Sequence, residues 1–455
     1  MRDLTQGSIS GHVIKMAIPI MVGMLVQTLY LMVDLYFVSR LGSDALAGVN
    51  AAANAAMLVM ALTQMLSVGT VALLSHAVGA KQTEQANLVF NQAMTIALAL
   101  MLGTLVVGYA AVGHYMGTLA ADQASRDAGI LYLHWYLPGL ALQFVIAAIA
   151  AALRGTGIVK PTMTVQLFTV LVNMVLTPIM TAGWLTGHPL GVKGAALSST
   201  IAVVVGTLML AWYFLRLEHL VKVQPSLMKP HWLTWRKLFN IGLPSGGEFI
   251  MLFLSAALAY WAIRGFGAEA QAALGIGGRV MQLFFLPALA MSFALPAIAG
   301  QNLGARQGQR IRESFKVTLV MELGLMLVMM LLCRWKPELL LPWFSQDAAV
   351  LDFASQYLAI ASFTFLASGV IFTCSALFQG LGNTWPALLS SAAKLVVYAM
   401  GVFYLVGLGH FELAQLWYWM VAVNIAQALF SFYLVRREMG RKLGALAPVP
   451  EVEPA

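Results

Sequence analysis

The amino-terminal half of this 455-residue chain is repeated in the carboxy-terminal half at a constant offset of 225 residues. Pro19 corresponds to Pro244, and the pair Gly79-Ala80 corresponds to Gly304-Ala305. Six long apolar segments recur in the same order in each half. Duplicated membrane bundles are typical of secondary transporters, in which a site between two lobes opens to either side in turn. The repeat therefore predicts two six-helix lobes.

The apolar content of the chain indicates that its solvent is lipid. Apolar residues make up 60% of the sequence and charged residues only 10%, and the mean hydropathy is +0.82. A soluble core cannot bury that much apolar surface. We therefore predict an all-α integral membrane protein with twelve transmembrane helices. The predicted spans are 12–38, 46–79, 86–110, 128–153, 160–182, 190–216, 237–264, 271–304, 310–334, 353–380, 386–407 and 411–436.

The spans and the repeat predict four segments along the chain. Residues 1–216 form the amino-terminal lobe, and residues 237–440 form the carboxy-terminal lobe. A basic cytoplasmic connector, 217–236, joins the two lobes. The tail, 441–455, is rich in Ala, Pro and Glu and is predicted to be disordered.

The placement of basic residues predicts the orientation. With the amino terminus inside, 18 of the 26 Lys and Arg residues lie on the cytoplasmic side, seven lie outside and Lys394 lies within a span. This positive-inside pattern predicts that both termini are cytoplasmic. It also accounts for the net charge of +8, so we expect no nucleic-acid partner.

The motifs of common enzyme classes are missing from the sequence. Cys333 and Cys374 show neither a disulfide framework nor metal-site spacing. No metal-ligand His cluster, nucleotide-binding loop or intramembrane nucleophile motif is found. We therefore expect neither enzymatic activity nor a cofactor.

Polar residues gather around one acid in the amino-terminal half. Gln27, Tyr30 and Asp34 share one helix face because they are spaced i, i+3 and i+7. We expect Asn173 and Thr177 of the fifth span and Ser199 of the sixth to reach a similar depth. A carboxylate ringed by hydroxyls, an amide and a phenol can bind a proton, or sodium if enough oxygens converge. The alternative is that the hydroxyl and amide side chains only join helices.

The carboxy-terminal half carries Glu248, Glu322 and Lys394 within spans. Ionised side chains in lipid are costly and are functional candidates by default. The repeat brings the seventh and eleventh helices together, so we predict a direct or water-bridged Glu248–Lys394 contact. The alternatives are that Lys394 pairs with Glu322, or that Glu322 faces a polar gap.

Each lobe begins with a helix that contains a repeat-related proline, Pro19 or Pro244. Proline removes a backbone hydrogen bond and kinks a membrane helix. We predict that both helices can bend, although a static kink is the commoner effect of a single proline.

A set of short motifs is spread over both halves. They are Ala17-Ile18-Pro19, the run from Val33 to Gly42 around Asp34, Gly242-Leu243-Pro244 with Glu248, Val78-Gly79-Ala80-Lys81, Leu303-Gly304-Ala305-Arg306, and Leu153-Arg154-Gly155-Thr156-Gly157 with Pro161. Together these motifs resemble the multidrug and toxic compound extrusion (MATE) family of bacterial type. The resemblance covers residues 10 to 437.

The resemblance implies a secondary active antiporter that exports cationic or amphiphilic compounds in exchange for H+ or Na+. It implies a multi-pass protein of the plasma membrane, here a bacterial inner membrane, that works among lipids as a monomer. In such proteins the acid matched by Asp34 takes part in coupling. Gln27, Tyr30, Tyr132 and Asn173 match polar positions of the same network. Ser199 matches a position that is often threonine.

Two departures from the family pattern bear on the coupling ion. Many members have a second acid where this chain has Thr177, and some have an acid in the tenth helix, where residues 363–377 contain none. A sodium ion at Asp34, Asn173 and Thr177 would then have one anionic ligand. We therefore expect protons rather than sodium to drive transport.

A flippase for lipid-linked saccharides shares the predicted architecture and remains the alternative. Its anionic cargo would require cationic residues in the central cleft, where this chain offers mainly Lys394. A channel does not need two six-helix lobes with a carboxylate in only one of the equivalent positions.

Overall fold

The computed structural model describes residues 3–120, 122–217, 220–335, 341 and 347–444. All regular structure in these residues is helical, with no β-strand. Helices are the expected result, because a helix in lipid satisfies its own backbone N–H and C=O groups. The predicted all-α class is confirmed.

Thirteen α-helices make up the described chain. They are α1 (Ile9–Ser39), α2 (Ser43–Gly79), α3 (Thr83–Leu119), α4 (Gln123–Gly155), α5 (Lys160–Ala182), α6 (Gly191–Leu217), α7 (Trp232–Ala262), α8 (Ala268–Gly304), α9 (Gly308–Trp335), α10 (Ala348–Ala361), α11 (Thr364–Gly380), α12 (Trp385–Gly407) and α13 (Leu413–Gly444). Among the described residues, eleven helices are long and apolar enough to cross a membrane, and α10 with α11 supply a twelfth span as a bent pair.

The tenth span is broken, whereas the sequence predicted one continuous helix over 353–380. α10 and α11 meet at an angle of 55°. Near the break, the Ser362 hydroxyl donates to the Ala359 carbonyl at 3.1 Å and the Thr364 hydroxyl donates to the Ala361 carbonyl at 2.7 Å. Such local side-chain bonds compete with the helical hydrogen-bond ladder and bend helices.

The repeat is visible in the backbone geometry of equivalent turns. Lys81 and Arg306 are related by the 225-residue offset, and both have φ of 57°. The N–H of the next residue bonds to a carbonyl five residues back, at 2.9 Å after Lys81 and 2.8 Å after Arg306. This pattern is a left-handed helix cap of the Schellman type. Gly157 and Gly382, also equivalent, have φ of 80° and 70°.

The chain divides into two compact units whose boundaries differ from the predicted lobes. The first unit contains Ile18–Val78 and Gln82–Gly246. The second contains Leu4–Ala17, Gly79–Lys81 and the chain from Gly247 onwards. Thus α1 begins in the second unit and continues in the first, and α7 begins in the first and continues in the second.

Polar contacts hold the amino-terminal segment in the second unit. The Leu4 N–H donates to Gln301 Oε1 at 3.1 Å, and Asn302 Nδ2 donates to the Leu4 carbonyl at 3.2 Å. Arg310 donates to the Gly7 carbonyl at 3.0 Å. The segment is therefore bound through its backbone by side chains near the junction of α8 and α9.

The connector is shorter than predicted and is bound to α3. α7 begins at Trp232, so the predicted range 217–236 includes the first helical residues of the carboxy-terminal half. The backbone of residues 220–231 exchanges hydrogen bonds with Asn87, Asn91 and Gln92. Amide side chains on α3 thus form hydrogen bonds with the backbone N–H and C=O groups of a segment that lacks regular backbone hydrogen bonding of its own.

The predicted disordered tail begins too early, because α13 continues to Gly444. In its last turns the exposed Arg441 pairs with the buried Glu438 at 2.8 Å, an i, i+3 pair. Residues 445–455 lie outside the described residues.

Candidate functional site

Asp34 lies on the part of α1 that belongs to the first unit. Its side chain is half-buried, and its Oδ1 atom is buried without a hydrogen-bond partner. A buried acceptor without a donor costs about 1–3 kcal/mol, and more when the group is charged. Asp34 Oδ1 can therefore take up a proton or accept a hydrogen bond from water or from a ligand.

Ser199 on α6 is the centre of a buried hydrogen-bond network from three helices. The Tyr30 hydroxyl of α1 donates to Ser199 Oγ at 2.8 Å, and Asn173 Nδ2 of α5 donates to it at 3.2 Å. Thr177 donates to Asn173 Oδ1 at 3.2 Å and lies 3.0 Å from Ser198 Oγ. Asp34, Tyr30, Asn173, Thr177 and Ser199 are together called the amino-lobe site below.

Three tyrosines lie near the acid. Tyr30, Tyr132 and Tyr136 are each close enough to Asp34 to interact with it electrostatically. Tyr132 and Tyr136 lie one turn apart on α4, and their ring centroids are 5.2 Å apart. The carboxyl group thus faces neutral polar groups rather than a cation: no Lys, Arg or His nitrogen of a described residue lies within 4.0 Å of it.

Three of the predicted site residues have hydrogen-bond partners other than Asp34. Tyr30 and Asn173 donate to Ser199, not to Asp34, because the hydroxyl of Ser199 stands at the meeting point of their helices. Gln27 shares the α1 face with Asp34 but is exposed, and its Oε1 accepts a hydrogen bond from Gln166 Nε2 at 3.1 Å.

The sequence reasoning missed Gln166, Tyr136 and the contribution of Ser198. A Cβ at Gly23 would lie 2.5 Å from Gln166 Oε1, so the glycine leaves room for this side chain beside α1. Tyr136 was detectable, because its i+4 spacing from Tyr132 places both on one helix face. Gln166 gave no comparable signal, since its partner lies on another helix.

The acceptor oxygens of the amino-lobe site are already partly occupied by hydrogen bonds. Ser199 Oγ already accepts two hydrogen bonds, which occupy the two lone pairs of a hydroxyl oxygen. Asn173 Oδ1 accepts from Thr177. Asp34 is the only carboxylate of the site, and the described residues contain no group of three or more His, Cys, Asp or Glu side chains that could hold a metal ion.

Glu248 and Glu322 of the second unit have hydroxyl partners. Ser375 on α11 donates to Glu248, at 2.9 Å to Oε2. Glu322 is fully buried on α9, with Ser292 Oγ 2.8 Å from Oε1 and Thr373 Oγ1 2.8 Å from Oε2. The predicted polar gap at Glu322 is therefore filled by side chains.

The direct contact predicted between Glu248 and Lys394 is absent. Lys394 Nζ donates to Asn424 Oδ1 at 3.1 Å, and neither Glu248 nor Glu322 lies within 4.0 Å of it. Ser391 of α12 lies near Glu248 and accepts from Gln427 at 3.3 Å. A hydroxyl of α11 and an amide of α13 thus provide separate partners for the acid and the base.

Up to twelve membrane spans among the described residues, a duplicated sequence and polar groups buried within each unit are the features of a multi-pass membrane transporter. The MatE family model matches residues 19–179 and 244–405, one match in each half. The chain belongs to this family. Members of the family are transporters of small molecules rather than enzymes.

Relatives of known sequence cover almost all of the chain. The multidrug export protein MepA of Staphylococcus saprophyticus is 23% identical over 440 residues, 95% of each chain. The FAD transporter of Shewanella oneidensis is 21% identical over 395 residues, 87% of each chain. A MOP superfamily transporter from Pyrococcus furiosus has the same fold, with a TM-score of 0.89 and 22% identity over 97% of this chain and 98% of that one.

Proposed function

We propose that this protein is a proton-coupled antiporter that exports cationic or amphiphilic small molecules by alternating access. The observation that carries the proposal is Asp34, the one acid of the amino-lobe site, whose buried Oδ1 has no hydrogen-bond partner and whose neighbours are neutral hydroxyls and an amide. The multidrug export protein MepA among the relatives supports the export of small molecules.

Proton and substrate compete for the one carboxylate in the proposed cycle. An ionised Asp34 attracts a cationic substrate, because no basic side chain of the described residues neutralises it. Protonation removes that charge and gives the carboxyl an O–H donor, so the substrate loses its anionic partner. If the substrate binds from the cytoplasm and the proton enters from outside, each cycle exports one substrate molecule.

The hydrogen-bonding state of Ser199 supports protons over sodium. Its oxygen accepts from Tyr30 and Asn173, so its remaining capacity is one O–H donor. A donor stabilises a carboxylate or orders a water, but it does not coordinate a metal ion. We propose H+ as the coupling ion and no cofactor.

Pro19 and Pro244 provide the bending points in the proposed cycle. They lie inside α1 and α7, close to where each helix passes from one unit to the other. Each proline lacks an N–H, so a bend there breaks no further hydrogen bond. We place the protein in a bacterial inner membrane as a monomer with both termini cytoplasmic, in agreement with the positive-inside pattern.

Lys394 favours a second candidate function, the transport of organic anions. It is half-buried in α12, and its single side-chain partner among the described residues is an amide oxygen. The FAD transporter among the relatives carries a substrate with negative charge, and a lipid-linked saccharide would be anionic as well. Competition of FAD or a lipid-linked sugar against ethidium, lost in Lys394→Met, would favour this candidate.

Ethidium transport in inverted membrane vesicles tests the proposal. We expect an imposed pH gradient to drive ethidium transport and a sodium gradient alone to drive none. Asp34→Asn should abolish transport, while Asp44→Asn, which alters an exposed acid in the first turn of α2, should not. Transport that requires sodium and ignores the pH gradient would overturn proton coupling.

A further inference from the structure

Glu322 is an acid enclosed within the second unit. It is 0% exposed, and no Lys, Arg or His nitrogen of the described residues lies within 4.0 Å. A buried charge without a counter-ion costs several kcal/mol. The partners of Glu322 are instead two neutral hydroxyls, on Ser292 and Thr373.

The number of hydroxyl protons available around Glu322 indicates its protonation state. Thr373 Oγ1 lies 2.8 Å from Glu322 Oε2 and also 2.8 Å from the Gly369 carbonyl. A hydroxyl has one proton, so it can donate to only one of these acceptors. Both contacts are satisfied together when Glu322 is protonated, donates from Oε2 to Thr373 and accepts from Ser292 at Oε1.

Few other titratable groups influence this acid. Cys374, adjacent to Thr373 on α11, interacts electrostatically with Glu322. On α8, Arg279 lies 13 residues from Ser292 and Glu269 lies 23, or about 20 and 35 Å along the helix. On α10, Asp352 lies beyond the break that separates it from Thr373. Thr318, one turn before Glu322 on α9, has a buried hydroxyl without a partner.

Both hydroxyl partners lie on helices with interrupted backbone ladders. Ser292 on α8 lies between Pro287 and Pro296. Thr373 lies on α11, the second half of the span broken by 55°. Prolines and helix breaks are the usual sites of kinks in helices, so a change of kink at these points would move both partners relative to α9.

We propose that Glu322 is a second proton-binding site of the transporter, occupied in this conformation and emptied once in each cycle. The inference rests on the proposed proton coupling and adds a second proton to it. On release, the proton on Oε2 passes to water that enters as α8 and α11 move. Thr373 then turns its own proton from the Gly369 carbonyl to Oε2, and Ser292 continues to donate to Oε1. Thr318, free to donate, can turn towards the new charge.

The test is the number of protons exchanged per ethidium in proteoliposomes, measured from the pH gradient that just balances an ethidium gradient. We expect two for the wild type and one for Glu322→Gln, which keeps a donor and an acceptor in the same shape. Glu313→Gln, an exposed acid on the same helix, should leave the ratio at two. An unchanged ratio in Glu322→Gln overturns the inference.

If Glu322→Gln no longer transports ethidium, infrared difference spectra test the inference instead. The wild type should show a protonated carboxylic acid band at neutral pH that is lost on adding ethidium and is absent from Glu322→Gln. A band that is absent from the wild type, or insensitive to ethidium, overturns the inference. Loss of coupling in Asp34→Asn is a separate result: if that variant behaves as wild type while Glu322→Gln loses a proton, the proposed role of Asp34 fails and that of Glu322 stands.

Discussion

Asp34 and Glu322 are the same chemical group in two differently built surroundings. Asp34 is half-buried and has an oxygen without a donor, although three phenols stand nearby. Glu322 is fully buried, and each of its oxygens has a hydroxyl partner. The first arrangement leaves one carboxyl oxygen that can still accept a donor, whereas the second leaves no carboxyl oxygen without a partner. The two acids therefore differ in their neighbouring hydroxyl groups as well as in their burial.

The internal repeat does not extend to these acids. The residue that corresponds to Asp34 is Ala259, and the residue that corresponds to Glu322 is Ala97. Both alanines are buried. The two halves therefore share helices and turns but differ in where they carry charge, so each unit needs its own test.

The largest expected effect is that of Asp34→Asn on export. The amide cannot exchange a proton, so ethidium efflux should fall to the background of vesicles without the protein, while membrane insertion is retained. Efflux assays with a parallel measurement of protein level in the membrane provide the check. Normal efflux from a well-expressed variant would assign coupling to the second unit alone.

Ser199→Ala should have the next largest effect. It removes the acceptor of Tyr30 and Asn173 and leaves two buried donors without partners, at about 1–3 kcal/mol each. We expect lower thermal stability of the purified protein and a several-fold loss of efflux. Ser67→Ala, which removes a partner of Arg154 elsewhere in the first unit, would show whether any buried hydroxyl has the same influence on efflux.

Thr177→Asp should change the ion response by a smaller amount. It places a second carboxylate next to Asn173, where Thr177 now donates to the amide oxygen. Sodium prefers several oxygens with negative charge, so we expect a new sodium stimulation of ethidium efflux. Glu313→Asp, which alters an exposed acid and adds no charge, should not respond to sodium. An unaltered ion response in Thr177→Asp would contradict the argument that a missing acid excludes sodium.

The smallest effect is expected for the coupling between Glu248 and Lys394. Because they bind Ser375 and Asn424 separately, the stability changes of Glu248→Gln and Lys394→Met should add to within about 0.5 kcal/mol in the double variant. Thermal or denaturant unfolding in detergent measures this. A double variant more stable than either single variant would show that the pair forms in another conformation.

The apolar spans and the repeat made the helices predictable from the sequence. The break in the tenth span and the side-chain contacts between helices were not predictable in this way. The apolar spans and the 225-residue repeat placed every span. The break in the tenth span could not be predicted, because the Ser362 and Thr364 hydroxyls beside it leave the span apolar overall. The shared face of Tyr30 and Asp34 was predictable from helix spacing. The Ser292 and Thr373 partners of Glu322 were not, because they come from helices whose rotation no sequence period fixes.

The position of the first residues has a consequence for synthesis of the chain. Leu4 is bound by Gln301 and Asn302, which leave the ribosome almost 300 residues later. At roughly 5–20 residues per second, the segment before α1 waits about 15 to 60 s for these partners. The backbone of Leu4 therefore lacks its bonds to Gln301 and Asn302 until α8 has been made. Separately expressed halves should therefore be unstable apart and recover when produced together.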